Sequence, residues 1–169
     1  MKGKKASESK ATTTHLILPN DTNVLGNLMG GQLLSWMDLT SAIAAHRHCG
    51  RVVVTASVNN VSFNRAIGLG DIVTIEAKVS RAFTSSMEVY LDVSIENRTT
   101  GTKTKSNEAI YTFVAVDQNG KAIEVPELIP ESKEEQIRFD GALRRKQLSL
   151  ILAGKMKPDD ASELKALFT

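Results

Sequence analysis

The chain contains one cysteine, Cys49, so no intrachain disulfide forms, and thiol usage this low fits a reducing compartment. No apolar run approaches the roughly 18 residues that a membrane-spanning helix needs. The basic opening, Met1 to Lys10, is not followed by the apolar segment of an export signal, so a cytoplasmic location is expected. Charge of one sign is also scarce. Lys and Arg number 21 against 19 Asp and Glu, a net charge of +2, which speaks against nucleic acid held by bulk charge. Missing too are a G-x-S-x-G nucleophile elbow, an H-E-x-x-H zinc helix, a C-x-x-C pair and a G-x-x-x-x-G-K-[ST] phosphate loop. Gly68-Leu-Gly70 fails as a dinucleotide fingerprint, because the third glycine and the following helix are absent.

What is present is a normal globular mix, 41% hydrophobic and 24% charged over 169 residues, enough for one ordinary core. Residues 1–10 are polar and are expected as a disordered arm. Thr12 to Leu18 is β-branched and apolar until Pro19-Asn20-Asp21 stops it, so it is read as a strand. A loop rich in glycine follows, Thr22 to Gly31. From Gln32 to about His48 there is neither Gly nor Pro, and the apolar positions run nearly all the way round, which predicts a long buried helix.

Strands are predicted over 51–64, 72–82, 86–97 and 103–116. The clearest alternation puts Val73, Ile75, Ala77 and Val79 on one face, and Met87, Val89, Leu91, Val93 and Ile95 on another. A strand, one buried helix and four antiparallel strands make an α+β fold with a curved sheet wrapped round a central helix. Pro126 and Pro130 bracket a linker, a second helix is predicted over 132–153, and 159–168 holds a last helical turn or two. The expected division is 1–10, 11–126 and 127–169.

His46, His48 and Cys49 cluster at the end of the long helix, but three ligands without a fourth make a poor zinc site, and histidines there also complement the helix dipole. No metal is expected. Asp38 is the residue that stands out. Helical spacing sets it near Leu34, Ala42 and Ala45, where a carboxylate loses hydration unless paired. It is either a structural acid or a general base or nucleophile in a shielded cleft. Gly30-Gly31 at the helix start would let a ligand approach the backbone, and free N–H groups there favour a developing oxyanion. Asn23 and Asn27 can donate side-chain amide bonds or serve as loop residues. An acid, amide donors and an oxyanion-binding helix start suffice to hydrolyse an activated acyl group.

The stretch Asp21-Thr-Asn23-Val-Leu-Gly26-Asn27-Leu-Met-Gly30-Gly31-Gln-Leu-Leu-Ser-Trp36-Met37-Asp38 resembles the acyl-CoA thioesterase branch of the hotdog fold. The likeness continues through Val58 to Phe63, Gly70-Asp71-Ile-Val73, Thr84-Ser-Ser-Met87-Glu-Val89 and Phe113-Val-Ala-Val-Asp117, covering roughly residues 11–150. Many relatives carry His where this chain has Met29, and Pro where it has Ala66. The resemblance implies a helix in a five-stranded antiparallel sheet. It implies no cofactor beyond the coenzyme A of the substrate, and homodimers paired edge to edge, with a trimer of dimers as the full assembly. It implies a composite site in which Asn23 of one subunit works with Asp38 of another, Gly30, Gly31 and Asn27 lining the same loop. Ser85 and Ser86, with Thr84 and Arg81, are the implied CoA contacts, and Arg145 on the late helix is a further cationic candidate. A thiolate leaving group of modest basicity explains why no histidine is required. The rival readings are an acyl-CoA-binding regulator with little turnover and a hotdog dehydratase or hydratase, which needs a helix acid paired with a histidine.

Overall fold

A computed structural model describes every residue except Asn60. The chain divides into two compact units, Met1–Ile129 and Pro130–Thr169. In the first, the elements run β1 (Lys4–Lys5), α1 (Ala6–Ser9), β2 (Ala11–Leu16), α2 (Gly30–Cys49), β3 (Val52–Asn59), β4 (Ile72–Ala82), β5 (Ser86–Glu96), β6 (Lys103–Val116) and β7 (Leu128–Ile129). The second holds α3 (Lys133–Leu152) and the short α4 (Ser162–Lys165).

The main sheet is five-stranded, in the order β2-β4-β5-β6-β3, and every pairing in it is antiparallel. Helix α2 touches all of these strands, so the sheet curves about it as the resemblance implies. The register explains the core. Val73, Ile75, Ala77 and Val79 stand beside Ile95, Val93, Leu91 and Val89, and Met87 and Val89 stand beside Phe113 and Tyr111. These rows of buried side chains form one continuous apolar face under the helix. Leu33, Met37, Ala44 and Ala45 of α2 seat against it, each no more than 2% exposed. Asp71 ties the start of β4: its Oδ2 accepts from Gly68 N–H at 2.9 Å and its Oδ1 from Arg98 N–H at 3.1 Å.

Three expectations need correction. Residues 1–10 are not a disordered arm. Lys4–Lys5 pairs in parallel with Leu128–Ile129, Ala6 and Ser9 are buried, and Ser9 Oγ accepts from Val79 N–H at 2.9 Å. The amide it satisfies lies where β4 carries a bulge, and small, polar-looking side chains do the packing, which composition does not reveal. The long helix starts two residues earlier than expected, at Gly30, and it is not buried all round: Leu39 is 61% and Ile43 41% exposed. The strand expected over 51–64 ends at Asn59; Asn60 lies outside the described residues, and 61–64 are not strand. The second helix carries a capping box, Ser132 Oγ accepting from Glu135 N–H at 3.1 Å while Glu135 accepts from Ser132 N–H.

Candidate active site

Asp38 sits on the third turn of α2, half-buried, on the side that faces β3. Strand β3 pairs Val53 with Ala115 and Thr55 with Phe113, and since Ala115 and Phe113 are buried, Val53 and Thr55 point inward with them. Thr55 Oγ1 donates to Asp38 Oδ1 at 2.6 Å, a short charge-assisted bond that orients the carboxylate. Asp38 Oδ2 has no protein partner among the described residues. The acid is therefore neither lone nor engaged on both oxygens.

Beneath it lies Tyr111, 1% exposed, whose hydroxyl donates to the Leu34 carbonyl at 3.0 Å, the carbonyl one turn before Asp38. Burial pushes the Tyr111 phenol up to about 12, and the Asp38 carboxylate adds to the rise, so the phenol stays a donor. Sequence reasoning missed Thr55 and Tyr111. The inward phase of β3 is readable only once its pairing with β6 is known.

The loop before α2 is self-contained. Asn23 Oδ1 accepts from Leu25 N–H at 3.0 Å and from Asn27 N–H at 3.2 Å, and Asn23 N–H donates to the Asn27 carbonyl at 2.8 Å. Two donors on the oxygen fix the amide's orientation, and its NH2 is left without a partner among the described residues. Asn27 contributes through its backbone, bridging to Gly68. Met29 caps α2 with no side-chain bond to the first turn, so Gly30 and Gly31 expose the helix's own donors. A Cβ on Gly30 would meet the Phe63 ring at 3.3 Å, whereas one on Gly31 would meet nothing within 4 Å. Gly31 and Asp38 lie two turns apart on one face of the helix. No hydrogen bond joins Asn23 to Asp38 among the described residues of the protomer.

Four of the candidates for CoA contact lie at one turn of the first unit, and Arg145 belongs to the second. Arg81 stacks over the Phe83 ring, 5.6 Å from its centroid, next to the Thr84–Ser86 turn that joins β4 and β5. The Thr84 and Ser85 carbonyls accept from Val125 and Ala115, and the Ser86 carbonyl from Phe83, each at 2.8–3.0 Å. Arg145 belongs to the second unit, where its guanidinium donates to the Arg138 carbonyl at 2.7 Å. The histidines go separate ways: His46 Nδ1 meets the Arg51 carbonyl at 2.9 Å, and His48 Nε2 meets the Pro126 carbonyl at 2.7 Å. Among the described residues no group of three or more His, Cys, Asp or Glu is placed to hold a metal. Among the described residues no helix is long and apolar enough to cross a membrane.

Residues 25–102 match the model of the thioesterase superfamily. The chain is 42% identical over 138 residues to an uncharacterized acyl-CoA thioester hydrolase of Bacillus subtilis, covering 82% of this chain and 80% of that one. It also matches larger mammalian proteins, spanning 24% of mouse acyl-coenzyme A thioesterase 11 and 41% of the human cytosolic acyl coenzyme A thioester hydrolase. Among solved structures, an apo-hexameric acyl-CoA thioesterase superposes with a TM-score of 0.87 at 36% identity, covering 90% of this chain and 98% of that one. The acyl-CoA hydrolase of Staphylococcus aureus, solved with butyryl coenzyme A, coenzyme A and coenzyme A disulfide, gives 0.84 at 34% identity over 98% and 99%. Structures of that hydrolase also exist with one asparagine, one aspartate or one threonine replaced by alanine. Helix, sheet, loop and sequence agree: the chain belongs to the acyl-CoA thioester hydrolases of the hotdog thioesterase superfamily.

Proposed function

We propose that this protein hydrolyses acyl-CoA to the free acid and coenzyme A, as a homo-oligomer whose active sites form across a two-chain seam. The observation that carries the reading is the Thr55–Asp38 bond, which holds one carboxylate oxygen and leaves the other open on the face of α2 that begins at Gly31. The thioester carbonyl docks on the Gly31 N–H, where the helix dipole stabilises the oxyanion. Asp38 Oδ2 delivers the attack, either as base to a water or as the nucleophile itself, in which case water then cleaves the mixed anhydride to release the acid and restore the carboxylate. The thiolate departs without a strong general acid, which suits a site where no histidine bonds Asp38 among the described residues of the protomer. The asparagine, aspartate and threonine altered in the Staphylococcus aureus hydrolase have the same spacing along that chain as Asn23, Asp38 and Thr55 have here.

The seam is supported by strand β3, an edge of the sheet on which Val52, Val54 and Val58 are 67%, 48% and 41% exposed. Such an edge invites pairing with a second copy. That pairing supplies the free Asn23 amide to the neighbour's Asp38, and three such dimers make the hexamer. Arg81, Thr84, Ser85 and Ser86, with Arg145, are the proposed CoA contacts; a CoA affinity indifferent to salt and to Arg145→Ala would remove Arg145. No cofactor beyond the substrate's own coenzyme A is proposed. The single cysteine and the cytosolic relatives support a cytoplasmic location.

Subunit complementation tests the composite site. Asn23→Ala and Asp38→Asn should each lose activity by orders of magnitude as homo-oligomers, with melting temperature near wild type. Refolded together, random pairing places one intact site in half of the dimers, so about a quarter of wild-type activity should return. A mixture as inactive as its parents would show that both residues act from one chain.

A further inference from the structure

Tyr111 is the largest of the fully buried side chains among the described residues, and a hydroxyl at that depth needs a partner. The partner it takes does not itself lack a donor. The Leu34 carbonyl lies inside α2, where the helix already gives it the Asp38 N–H, four residues on. The phenol is a second donor to the same oxygen, at 3.0 Å. A carbonyl has two lone pairs, so both bonds stand together. A phenylalanine would fill the same space with no hydroxyl to satisfy, as Phe113 does two residues on in the same inward row. The bond thus rescues no backbone group that the fold would otherwise leave unpaired. What it does is pin the turn of α2 that carries Asp38 to the sheet beneath it.

The strand that does the pinning also sets the acid's other support. Strand β6 holds β3 with Thr55 opposite Phe113, and the Phe113 and Tyr111 rings lie 6.4 Å apart, 17° from parallel. The contacts close a circuit. It runs from the Asp38 carboxylate to Thr55, across the ladder to Phe113, along β6 to Tyr111, and through the Leu34 carbonyl back to the Asp38 backbone. Thr55 by itself fixes one carboxylate oxygen against β3 while the helix turn behind it can still slide. The Tyr111 bond holds that turn as well, and a reacting group must be held to within about 0.5 Å of its productive position.

We infer that Tyr111 is a positioning residue for the hydrolysis, holding the backbone of Asp38 as Thr55 holds its carboxylate, so that the two act on the rate together. The inference rests on the thioesterase reading above and extends it to a residue buried out of the substrate's reach. It is tested with the full-length protein by thiol release from one acyl-CoA, well below the melting temperature, with kcat and KM read separately. Tyr111→Phe should lower kcat about fivefold, the rate equivalent of one neutral hydrogen bond, and leave KM within about twofold of wild type. Ile75→Val trims the core on β4, two strands away from β6, at a similar cost to stability, and should leave kcat unchanged. On a Thr55→Val background, where the acid has already lost its aim, Tyr111→Phe should lower kcat by less than about twofold.

Full kcat in Tyr111→Phe would overturn the inference, as would an equal loss in Ile75→Val, which would make the effect one of general stability. So would a further fivefold loss on the Thr55→Val background, roughly the product of two independent effects, since the two residues would then act separately. A KM that rises while kcat holds would also overturn it, because Tyr111 would then shape binding rather than the attack. Failure of the wild type to hydrolyse any acyl-CoA, or full turnover in Asp38→Asn, would instead overturn the reading of the site, and this inference with it.

Discussion

Replacing Thr55 by Val keeps the shape and β-branching of the side chain and removes one atom's chemistry. The lost bond, 2.6 Å from Oγ1 to Asp38 Oδ1, is the only one made to that carboxylate among the described residues. A hydrogen bond to a charged group contributes about 1.5–3 kcal/mol net. If the bond holds Oδ2 in the attacking position, that energy is lost mainly in the transition state. At 1.36 kcal/mol per decade it corresponds to a fall in kcat of about 10- to 150-fold. KM should change little, because the acyl and CoA contacts lie elsewhere. Folding stability should also change little, since a half-buried carboxylate regains a water when the hydroxyl goes. Thr55→Ser, which restores the hydroxyl, should recover most of the rate. Thiol release with one acyl-CoA, read as kcat and KM separately for the wild type and both variants, is the assay. A Thr55→Val enzyme within twofold of wild type in kcat would refute the idea that this bond aims the acid, and an equal loss in Thr55→Ser would show that packing rather than the hydroxyl matters.

Gly31→Ala separates fold from function at the helix start: a Cβ there meets nothing within 4 Å, and Ala favours a helix over Gly by about 0.5–1 kcal/mol. Melting temperature should hold or rise while kcat/KM falls tenfold or more, and an enzyme of full activity would place the carbonyl elsewhere. Tyr111→Phe removes the donor to the Leu34 carbonyl and should cost about 1 kcal/mol in urea unfolding, whereas an unchanged midpoint would show that the bond contributes nothing net. Stability should also fall in mild acid. Burial lowers the pKa of His48, which is fully buried, and of His15, so the unfolded chain binds protons at a higher pH than the folded one. The stabilisation is complete above about pH 6.5 and drains away as pH falls from there through the lowered folded values. His48 Nδ1 has no partner among the described residues to receive a second proton's bond, so His48→Gln should flatten the decline between pH 7 and pH 5 seen in thermal melts; a decline of the same slope would acquit His48.

Much was settled by local pattern. Alternation in 72–82 and 86–97 depends only on which side chains tolerate water, and the strands formed there with their apolar rows facing one core. The absence of Gly and Pro after Gly31, and a Gly50 ready for the left-handed turn at φ 66°, bounded the long helix. Asp38 was conspicuous because a carboxylate on an apolar helix face needs a reason. Tertiary structure decided what pattern cannot carry. Thr55 becomes the acid's partner only because β3 pairs with β6 in one register, with a bulge just after it; a slip by one residue would turn its hydroxyl to the other face. Tyr111 reaches the Leu34 carbonyl across 77 residues of sequence, a closure that no window on the chain contains. Ala6 and Ser9 looked like a polar tail, yet the bulge in β4 offers them a place, because burial is set by shape as well as by hydrophobicity. The exposed side of α2 belongs to the same class: composition made that helix apolar all round, and only the sheet's limited wrap left Leu39 and Ile43 in the open.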